Sequence, residues 1–208
     1  MRKPKSREMA GKRLFDIVAA TAGIIVASPL LVAVAIAVKI SSPGPIIFRQ
    51  IRLGREKREF LICKFRTMKV GPSAQKGTLT VGADPRITRV GMFLRRWKLD
   101  ELAQLINVIK GEMSLVGPRP YTRDDLELIP QRFRNKIFSV RPGITSPAAI
   151  RYHNESVLVA QAEDPRAFYA TCIVPRKAAL HSHYVSRQTF SYDLQVLLKT
   201  LCILRIRR

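Results

Sequence analysis

The longest apolar run of the chain extends from Ile17 to Val38 and contains no charged residue. Its 22 residues are enough to cross the hydrocarbon core of a bilayer as a helix. Ser28-Pro29 lies in the middle, and a proline inside a helix removes a backbone donor and clashes with the preceding turn. The pattern therefore predicts a membrane helix that is broken at Ser28 and Pro29 into two arms.

The lengths of the two arms and their flanks favour a re-entrant topology. Each arm has about ten residues, or roughly 15 Å of helix, which is half of a ~30 Å hydrocarbon core. Lysine and arginine, which prefer the cytosolic side, occur before and after the run, namely Arg2, Lys3, Lys5, Arg7, Lys12 and Arg13, then Lys39, Arg49, Arg52, Arg55, Lys57 and Arg58. We therefore expect the helix to enter and leave the membrane on the cytosolic face. A kinked spanning helix is one alternative. A signal peptide is another, although the run is too long for one.

Shorter patterns beyond this run predict a hairpin and further helices. Ile46 to Phe48 and Phe60 to Ile62 are predicted strands of a small β-hairpin. Apolar residues at helical spacing predict an amphipathic helix from about Leu99 to Lys110. A second helix is predicted from Arg123 to Phe138. These elements indicate that helices outnumber strands.

Two further segments complete the prediction of the fold. Residues 70–85 are rich in Gly, Pro, Ser and Thr and are predicted to form a mobile loop. The stretch from Asp193 to Ile206 predicts a helix that lies either on the bilayer surface or in the core. The expected fold is mainly α, of the α+β class, with a re-entrant helix, amphipathic interfacial helices and a hairpin around a cytosolic active site. Residues 1–40 would be the basic start and membrane helix, and residues 41–208 the cytosolic catalytic domain.

The charge of the chain points to an anionic partner. Lys and Arg number 37 against 15 Asp and Glu, so the formal net charge is +22. Nucleic acid, an anionic membrane surface and phosphate-bearing small molecules all fit that charge, which cannot rank them. The three cysteines, Cys63, Cys172 and Cys202, show no metal or disulfide spacing and are expected to be buried thiols. The three histidines, His153, His181 and His183, are expected on the surface or as satisfied buried groups rather than as metal ligands.

One acidic pair among many arginines is the candidate for chemistry. Asp100 and Glu101 begin the predicted helix of residues 99–110, and phosphate-binding guanidinium groups are expected around them, from Arg86, Arg89, Arg95, Arg96 and Arg119. Neighbouring residues of a helix point about 100° apart, so the two acids would have separate roles. One would be a nucleophile, and the other would hold Mg²⁺ or assist. The alternative is that both acids only stabilise the helix dipole.

The same region carries a resemblance to a known family. Residues 95–102 (RRWKLDEL), 104–111 (QLINVIKG) and 113–120 (MSLVGPRP) resemble the bacterial sugar transferase family of small monotopic polyprenyl-phosphate phosphoglycosyl transferases. Shorter matches keep the same order: Lys12-Arg13, Phe15-Asp16, Ser28-Pro29, Gly44-Pro45, Phe48, Gln50, Arg52, Gly54, and residues 64–68 (KFRTM), 84–91 (DPRITRVG) and 141–145 (RPGIT). The resemblance therefore covers nearly the whole chain.

The resemblance implies an activity and a set of roles. The reaction would transfer a sugar 1-phosphate from a UDP-sugar to a polyprenyl phosphate such as undecaprenyl phosphate, release UMP, require Mg²⁺ and initiate assembly of a polysaccharide or glycoprotein glycan. Asp100 would be the nucleophile of a covalent phosphosugar intermediate and a metal ligand, with Glu101 as its partner. Arg95 and Arg119 would hold phosphates, and Lys64 and Arg66 would help to shape the site.

The location and partners follow from the same resemblance. The protein would lie in the bacterial inner membrane with its site on the cytoplasmic face. It would contact membrane lipids but no nucleic acid, and a homo-oligomer is possible. The segment from Ser146 to Glu155 departs from the family's usual Gly-Trp-Ala-Gln pattern, and Glu112 replaces the usual aspartate, so the sugar cannot be inferred. The rival hypothesis is a basic, membrane-tethered scaffold or nucleic-acid-binding protein without catalysis.

Overall fold

The first described element is a single long helix. The computed structural model describes residues 6–70 and 84–206, with side chains for 10–70 and 84–203. Helix α1, Ser6–Ser41, continues through Pro29, where the sequence predicted a break. Pro29 cannot donate to the Ile25 carbonyl four residues earlier, but the Ser28 hydroxyl donates to that carbonyl at 2.7 Å. The helical backbone persists because this side chain supplies the missing hydrogen bond.

The described residues form two small sheets, one of which is the predicted hairpin. Strands β1, Ile47–Leu53, and β2, Glu59–Phe65, pair antiparallel, which confirms the hairpin. A 3₁₀ turn, Arg55–Lys57, joins them. Strands β3, Ser114–Val116, and β4, Gly143–Thr145, form a second, parallel pair that the sequence did not predict.

Helices make up most of the remaining described residues. They are α2, Arg89–Trp97; a 3₁₀ segment, Leu99–Gln104; α3, Leu105–Lys110; α4, Arg123–Leu128; α5, Gln131–Ile137; α6, Pro147–Arg151; α7, Glu155–Ala160; α8, Pro165–Phe168; a π-helical turn, Tyr169–Ile173; α9, Val174–Ser186; and α10, Phe190–Ile206. The fold is therefore mainly α with small sheets, as predicted.

Several predicted boundaries need correction. The helix expected from Leu99 to Lys110 begins as 3₁₀ and becomes α-helical only at Leu105. The helix expected from residue 123 to 138 is two helices, because Ile129 precedes a proline and is extended, with ψ 124°. Of the predicted loop at residues 70–85, positions 71–83 lie outside the described residues. Cys63 is buried as expected, whereas Cys172 is half-buried and Cys202 is exposed.

The last helix has one buried face and one exposed apolar face. In α10, Val196 is buried in a cluster with Val116 and Tyr184. Its opposite face leaves Leu194, Leu198 and Leu201 exposed. The helix therefore packs one side on the core and presents an apolar side outward.

Both ends of α1 pack on the same globular body. Near its start, Lys12 Nζ lies 2.6 Å from Asp193 Oδ2, and Asp16 Oδ1 accepts from the Leu115 amide at 3.3 Å. Near its end, Val34 and Val38 are buried in one core cluster.

The middle of α1 lies beside the segment of residues 99–110. Ala20 packs with Val108, while Val38 packs with Ala103, so this segment runs antiparallel to α1. The outer face of α1 is exposed and apolar, with large side chains at Ile25, Val26, Leu30, Val32 and Ile36. Residues Ala10–Ser41 are long and apolar enough to cross a membrane by length and composition.

Candidate functional site

The two acids lie on a tight turn between helices. Helix α2 ends at Trp97, and Lys98 adopts a left-handed conformation, φ 57°, that caps α2 and begins the 3₁₀ segment Leu99–Gln104. A 3₁₀ helix has about three residues per turn, so adjacent side chains point about 120° apart. Asp100 and Glu101 therefore face different surroundings, as the sequence predicted.

Glu101 is held by a lysine from the hairpin. Lys64 of β2 donates to Glu101 Oε1 at 2.8 Å, and both side chains are largely shielded from water. Burial alone would raise the pKa of Glu101, but Lys64, Lys98 and Arg119 outweigh it and lower that pKa to about 2. Glu101 is therefore a permanent anion with a fixed cationic partner.

Asp100 has the opposite environment. It is 8 % exposed, and its Oδ1 atom has no hydrogen-bond partner among the described residues. Burial and the neighbouring Glu101 charge raise the pKa of Asp100, although Lys64, Lys98 and Arg95 oppose that shift. The result is a carboxylate with a raised pKa and one buried oxygen whose hydrogen-bonding capacity is unused by the described residues.

Arg95 is positioned beside the dyad by close packing of α2. A Cβ atom at Gly91 would lie 2.0 Å from the Thr67 carbonyl oxygen, so no side chain fits there. This contact brings Arg95 to Thr67, where its Nε donates to Oγ1 at 2.8 Å. Arg95 and Asp100 interact electrostatically, which places one guanidinium near the candidate nucleophile.

Arg119 supplies the second guanidinium. It follows β3 in the Gly117–Pro120 stretch, and its backbone amide donates to His181 Nε2 at 3.4 Å. Its charge interacts with Glu101 and Lys64. The structure therefore gathers Lys64, Arg95, Asp100, Glu101 and Arg119 in one electrostatic neighbourhood.

The other predicted phosphate-binding residues lie outside that neighbourhood or are engaged elsewhere. Arg86 binds the Asp84 carboxylate, with Nη2 to Oδ2 at 2.6 Å. Arg89 is exposed at the first residue of α2. Arg66 is buried and donates to the carbonyls of Ser42 at 2.7 Å, Val38 at 3.3 Å and Pro43. Its guanidinium therefore secures the end of α1 and has little left to offer a substrate.

The carboxylates are suited to Mg²⁺, which binds oxygen ligands and often takes one or two carboxylates together with substrate phosphates. The unpartnered oxygen of Asp100 beside Glu101 fits that requirement, so Asp100 is the residue that would hold the ion. Across residues 6–70 and 84–206, no group of three or more His, Cys, Asp or Glu side chains is placed to hold a metal.

A second polar cluster adjoins Arg119. The sequence did not predict this cluster, although Arg52 was noted as a match to the family and His181 as a histidine not expected to bind metal. We call it the Arg119 cluster; it comprises Arg52, Tyr121, Asp125, Glu155, Tyr169, Lys177 and His181 around Arg119. Lys177 is only 4 % exposed and donates to Glu155 Oε2 at 2.5 Å. The pKa of Arg52 is lowered to about 10 by burial and by the nearby Arg119 charge. The sequence offered one indication of this cluster: Lys177 and His181 are four residues apart and would share a helix face. Such a spacing is common and does not by itself predict a site.

Comparison with known proteins gives a consistent family. A sequence model described as Bacterial sugar transferase matches residues 7–206. The UDP-glucose:undecaprenyl-phosphate glucose-1-phosphate transferase of Escherichia coli (strain K12) is 48% identical over 141 residues, which is 67% of this chain and 30% of that protein. The UDP-N-acetylgalactosamine-undecaprenyl-phosphate N-acetylgalactosaminephosphotransferase of Aeromonas hydrophila is 34% identical over 192 residues, 91% of this chain and 42% of that protein.

A shorter relative is covered over most of its length. The exopolysaccharide production protein ExoY of Sinorhizobium fredii is 36% identical over 205 residues, 91% of this chain and 83% of that protein. By contrast, the chain spans less than half of the two transferases named above.

Proposed function

The chain belongs to the bacterial sugar transferase family, and we propose that it transfers a sugar 1-phosphate from a UDP-sugar to undecaprenyl phosphate, releasing UMP. The observation that carries the proposal is the opposite treatment of two adjacent carboxylates. Asp100 is basic and has an unpartnered oxygen, whereas Glu101 is neutralised by Lys64. Such a separation of roles is what a nucleophile and its supporting anion require.

The proposed reaction proceeds in two displacements at one phosphorus. An ionised Asp100 oxygen attacks the β-phosphorus of the donor, and the bond from that phosphorus to the bridging oxygen breaks, so that UMP leaves. A phosphate oxygen of the lipid then attacks the same phosphorus, and the bond to Asp100 breaks. The carboxylate is restored, and the products are UMP and a polyprenyl-diphosphate sugar.

The surrounding cations serve to lower repulsion among these anions. Arg95 and Arg119, whose charges act on Asp100 and Glu101, would bind the phosphate oxygens and stabilise charge as the phosphoryl group moves. Lys64 holds Glu101 in place. Mg²⁺, bound through Asp100, would neutralise phosphate charge and polarise the phosphorus–oxygen bonds.

We also propose that α1 is re-entrant, bending at Pro29 while its helical hydrogen-bond pattern continues, and that the site faces the cytoplasm at the inner membrane. Arg13 near the start of α1 donates to the Val108 and Ile109 carbonyls at 2.7 and 3.0 Å, and Arg66 binds the carbonyls at its end. A spanning α1 would place these two contacts on opposite sides of a ~30 Å hydrocarbon core. It would also place the 99–110 segment, which lies along α1 and carries charged residues, inside the bilayer.

Side-specific labelling tests this topology. Ala10→Cys and Arg58→Cys, each in a background with Cys172 and Cys202 replaced by serine, are expected to react with a membrane-impermeant maleimide from the cytoplasmic side of inverted vesicles. Labelling of Ala10→Cys from the opposite side alone would refute re-entry and leave the chemistry standing.

The reaction itself is tested by product formation and by the intermediate. The purified 208-residue chain with Mg²⁺, a panel of UDP-sugars and undecaprenyl phosphate is expected to release UMP and form a lipid diphosphate sugar. Donor alone is expected to add the mass of a sugar phosphate to the peptide containing Asp100. No UMP from any donor, combined with strongly salt-dependent nucleic-acid binding, would favour the basic scaffold instead.

A further inference from the structure

The Arg119 cluster contains buried polar atoms without partners. Arg52 Nε, Tyr121 Oη and His181 Nδ1 are all buried and have no hydrogen-bond partner among the described residues. His181 Nε2 accepts from the Arg119 amide, so Nδ1 of the neutral imidazole carries the proton. All three atoms are therefore able to donate, and leaving a buried donor without an acceptor is unfavourable. A bound group with oxygen acceptors would remove that cost.

These residues form one connected surface. The rings of Tyr121 and His181 meet edge to face with centroids 6.0 Å apart. Arg52 donates to the Pro120 carbonyl at 3.3 Å and lies 3.9 Å from Asp125. His181 and Lys177 are one turn apart on α9, and Lys177 binds Glu155.

The balance of charge argues against another phosphate in this place. Arg52 and Lys177 are matched by Asp125 and Glu155, and Arg119 also faces Glu101. A site with paired cations and anions and with aromatic rings suits an uncharged group that is rich in hydroxyl or carbonyl oxygens. Glu155 and Asp125 would accept from hydroxyls, while Arg52, Tyr121 and His181 would donate.

The position of the cluster favours the sugar, rather than the uracil, as the part of the donor that binds there. Arg119 interacts electrostatically with both Glu101 of the dyad and Glu155 of the cluster, so the cluster adjoins the dyad. In a UDP-sugar the sugar is attached directly to the β-phosphate, whereas the uracil lies beyond a second phosphate and a ribose. The two named transferases also differ in their sugar, glucose against N-acetylgalactosamine, while sharing the lipid.

A π-helical turn precedes α9 and carries Tyr169 of the cluster. Tyr169 begins the turn Tyr169–Ile173, directly before α9. π-helical turns are rare and occur frequently at functional sites. Tyr169 lies near Asp125, Arg119 and Glu155, so the irregular turn brings its phenol to the cluster.

We propose that the Arg119 cluster is the pocket that recognises the sugar of the donor, with the Glu155–Lys177 pair as its specificity-determining element. The inference rests on the proposed transferase activity.

The test compares donor preference with nucleotide affinity. Full-length wild type, Glu155→Gln and the charge-balanced double variant Glu155→Gln/Lys177→Met are assayed for UMP release with UDP-hexoses and UDP-N-acetylhexosamines. We expect the ratio of kcat/KM between the best and the next donor to change about tenfold or more. Inhibition by UDP, which lacks the sugar, is expected to change less than about twofold. Glu59→Gln, which breaks the exposed pair with Arg123, is the matched control and should leave the ratio unchanged.

Each contrary outcome has its own meaning. An equal loss of kcat/KM for all donors, with unaltered preference, would make the pair merely structural and overturn the inference. A parallel loss of UDP affinity would assign the pocket to the nucleotide instead. If the folded double variant retains wild-type preference, the inference also fails. Absence of UMP release from wild type with every donor would instead defeat the transferase proposal on which it rests.

Discussion

The surroundings of Asp100 and Glu101 differ although the two residues are adjacent. On the Glu101 side, a lysine from β2 makes a 2.8 Å ion pair and the pKa falls to about 2. On the Asp100 side, burial dominates, one oxygen has no partner among the described residues, and the pKa is raised. The contrast teaches that a tight turn can separate two like charges into two roles, because each side chain meets a different element.

Asp100→Asn is expected to have the largest effect, since it removes the more basic carboxylate and with it the proposed nucleophile. Turnover should fall at least about thousandfold, as is common when a covalent nucleophile is lost. UMP release and mass spectrometry of the donor-only reaction measure this. Thermal unfolding should occur no earlier than in wild type, because the variant no longer buries an unpartnered charge. Turnover close to that of wild type would contradict the contrast between the two acids, because it would mean that the Asp100 carboxylate has no role that Glu101 cannot fill.

Glu101→Gln is expected to have an intermediate effect on activity and the larger effect on stability. It leaves the Lys64 ammonium without its carboxylate, which should lower the free energy of unfolding by about 2 kcal/mol. Turnover should fall about a hundredfold, because the charge arrangement around the phosphates changes. Urea unfolding and UMP release provide the two readouts. Unchanged stability would mean that the Lys64–Glu101 pair contributes nothing to the fold.

Lys64→Met is expected to have the smallest effect on turnover at neutral pH, although it breaks the same ion pair, and its main effect should be on the pH dependence. Lys64 lowers the pKa of Asp100, so its removal raises that pKa further. The ionised nucleophile is gained as pH rises through this pKa, and the acid limb of adduct formation should therefore move to higher pH. Donor-only adduct formation measured across pH is the assay, and Arg58→Met, at an exposed position, is the control. A limb that stays in place would show that Asp100 is insulated from Lys64.

The sequence predicted the parts of the site that lie close together along the chain. Asp100, Arg95 and Arg119 belong to one continuous motif, and the hairpin and the long apolar helix have clear periodicities. The ion pair between Lys64 and Glu101 depends instead on β2 packing against the 3₁₀ turn. Such a pairing between distant segments cannot be derived from local periodicity.

Local side chains alter what the sequence leads one to expect. Proline at position 29 predicted a break, but one hydroxyl at Ser28 compensates for the missing donor. Arg66, which the resemblance implied would help to shape the site, donates to backbone carbonyls at the end of α1. Lys177 and Glu155 were missed because they are separated in sequence and meet only when α7 packs near α9.

The embedding of both ends of α1 in the globular body has a practical consequence for protein production. A truncation that begins after Ser42 would strip Val34 and Val38 from the core and leave buried Arg66 without most of its acceptors. It would also release the partners of Lys12 and Asp16 at the other end. Such a fragment is expected to aggregate rather than to behave as a water-soluble enzyme, so purification calls for the full chain in detergent or nanodiscs.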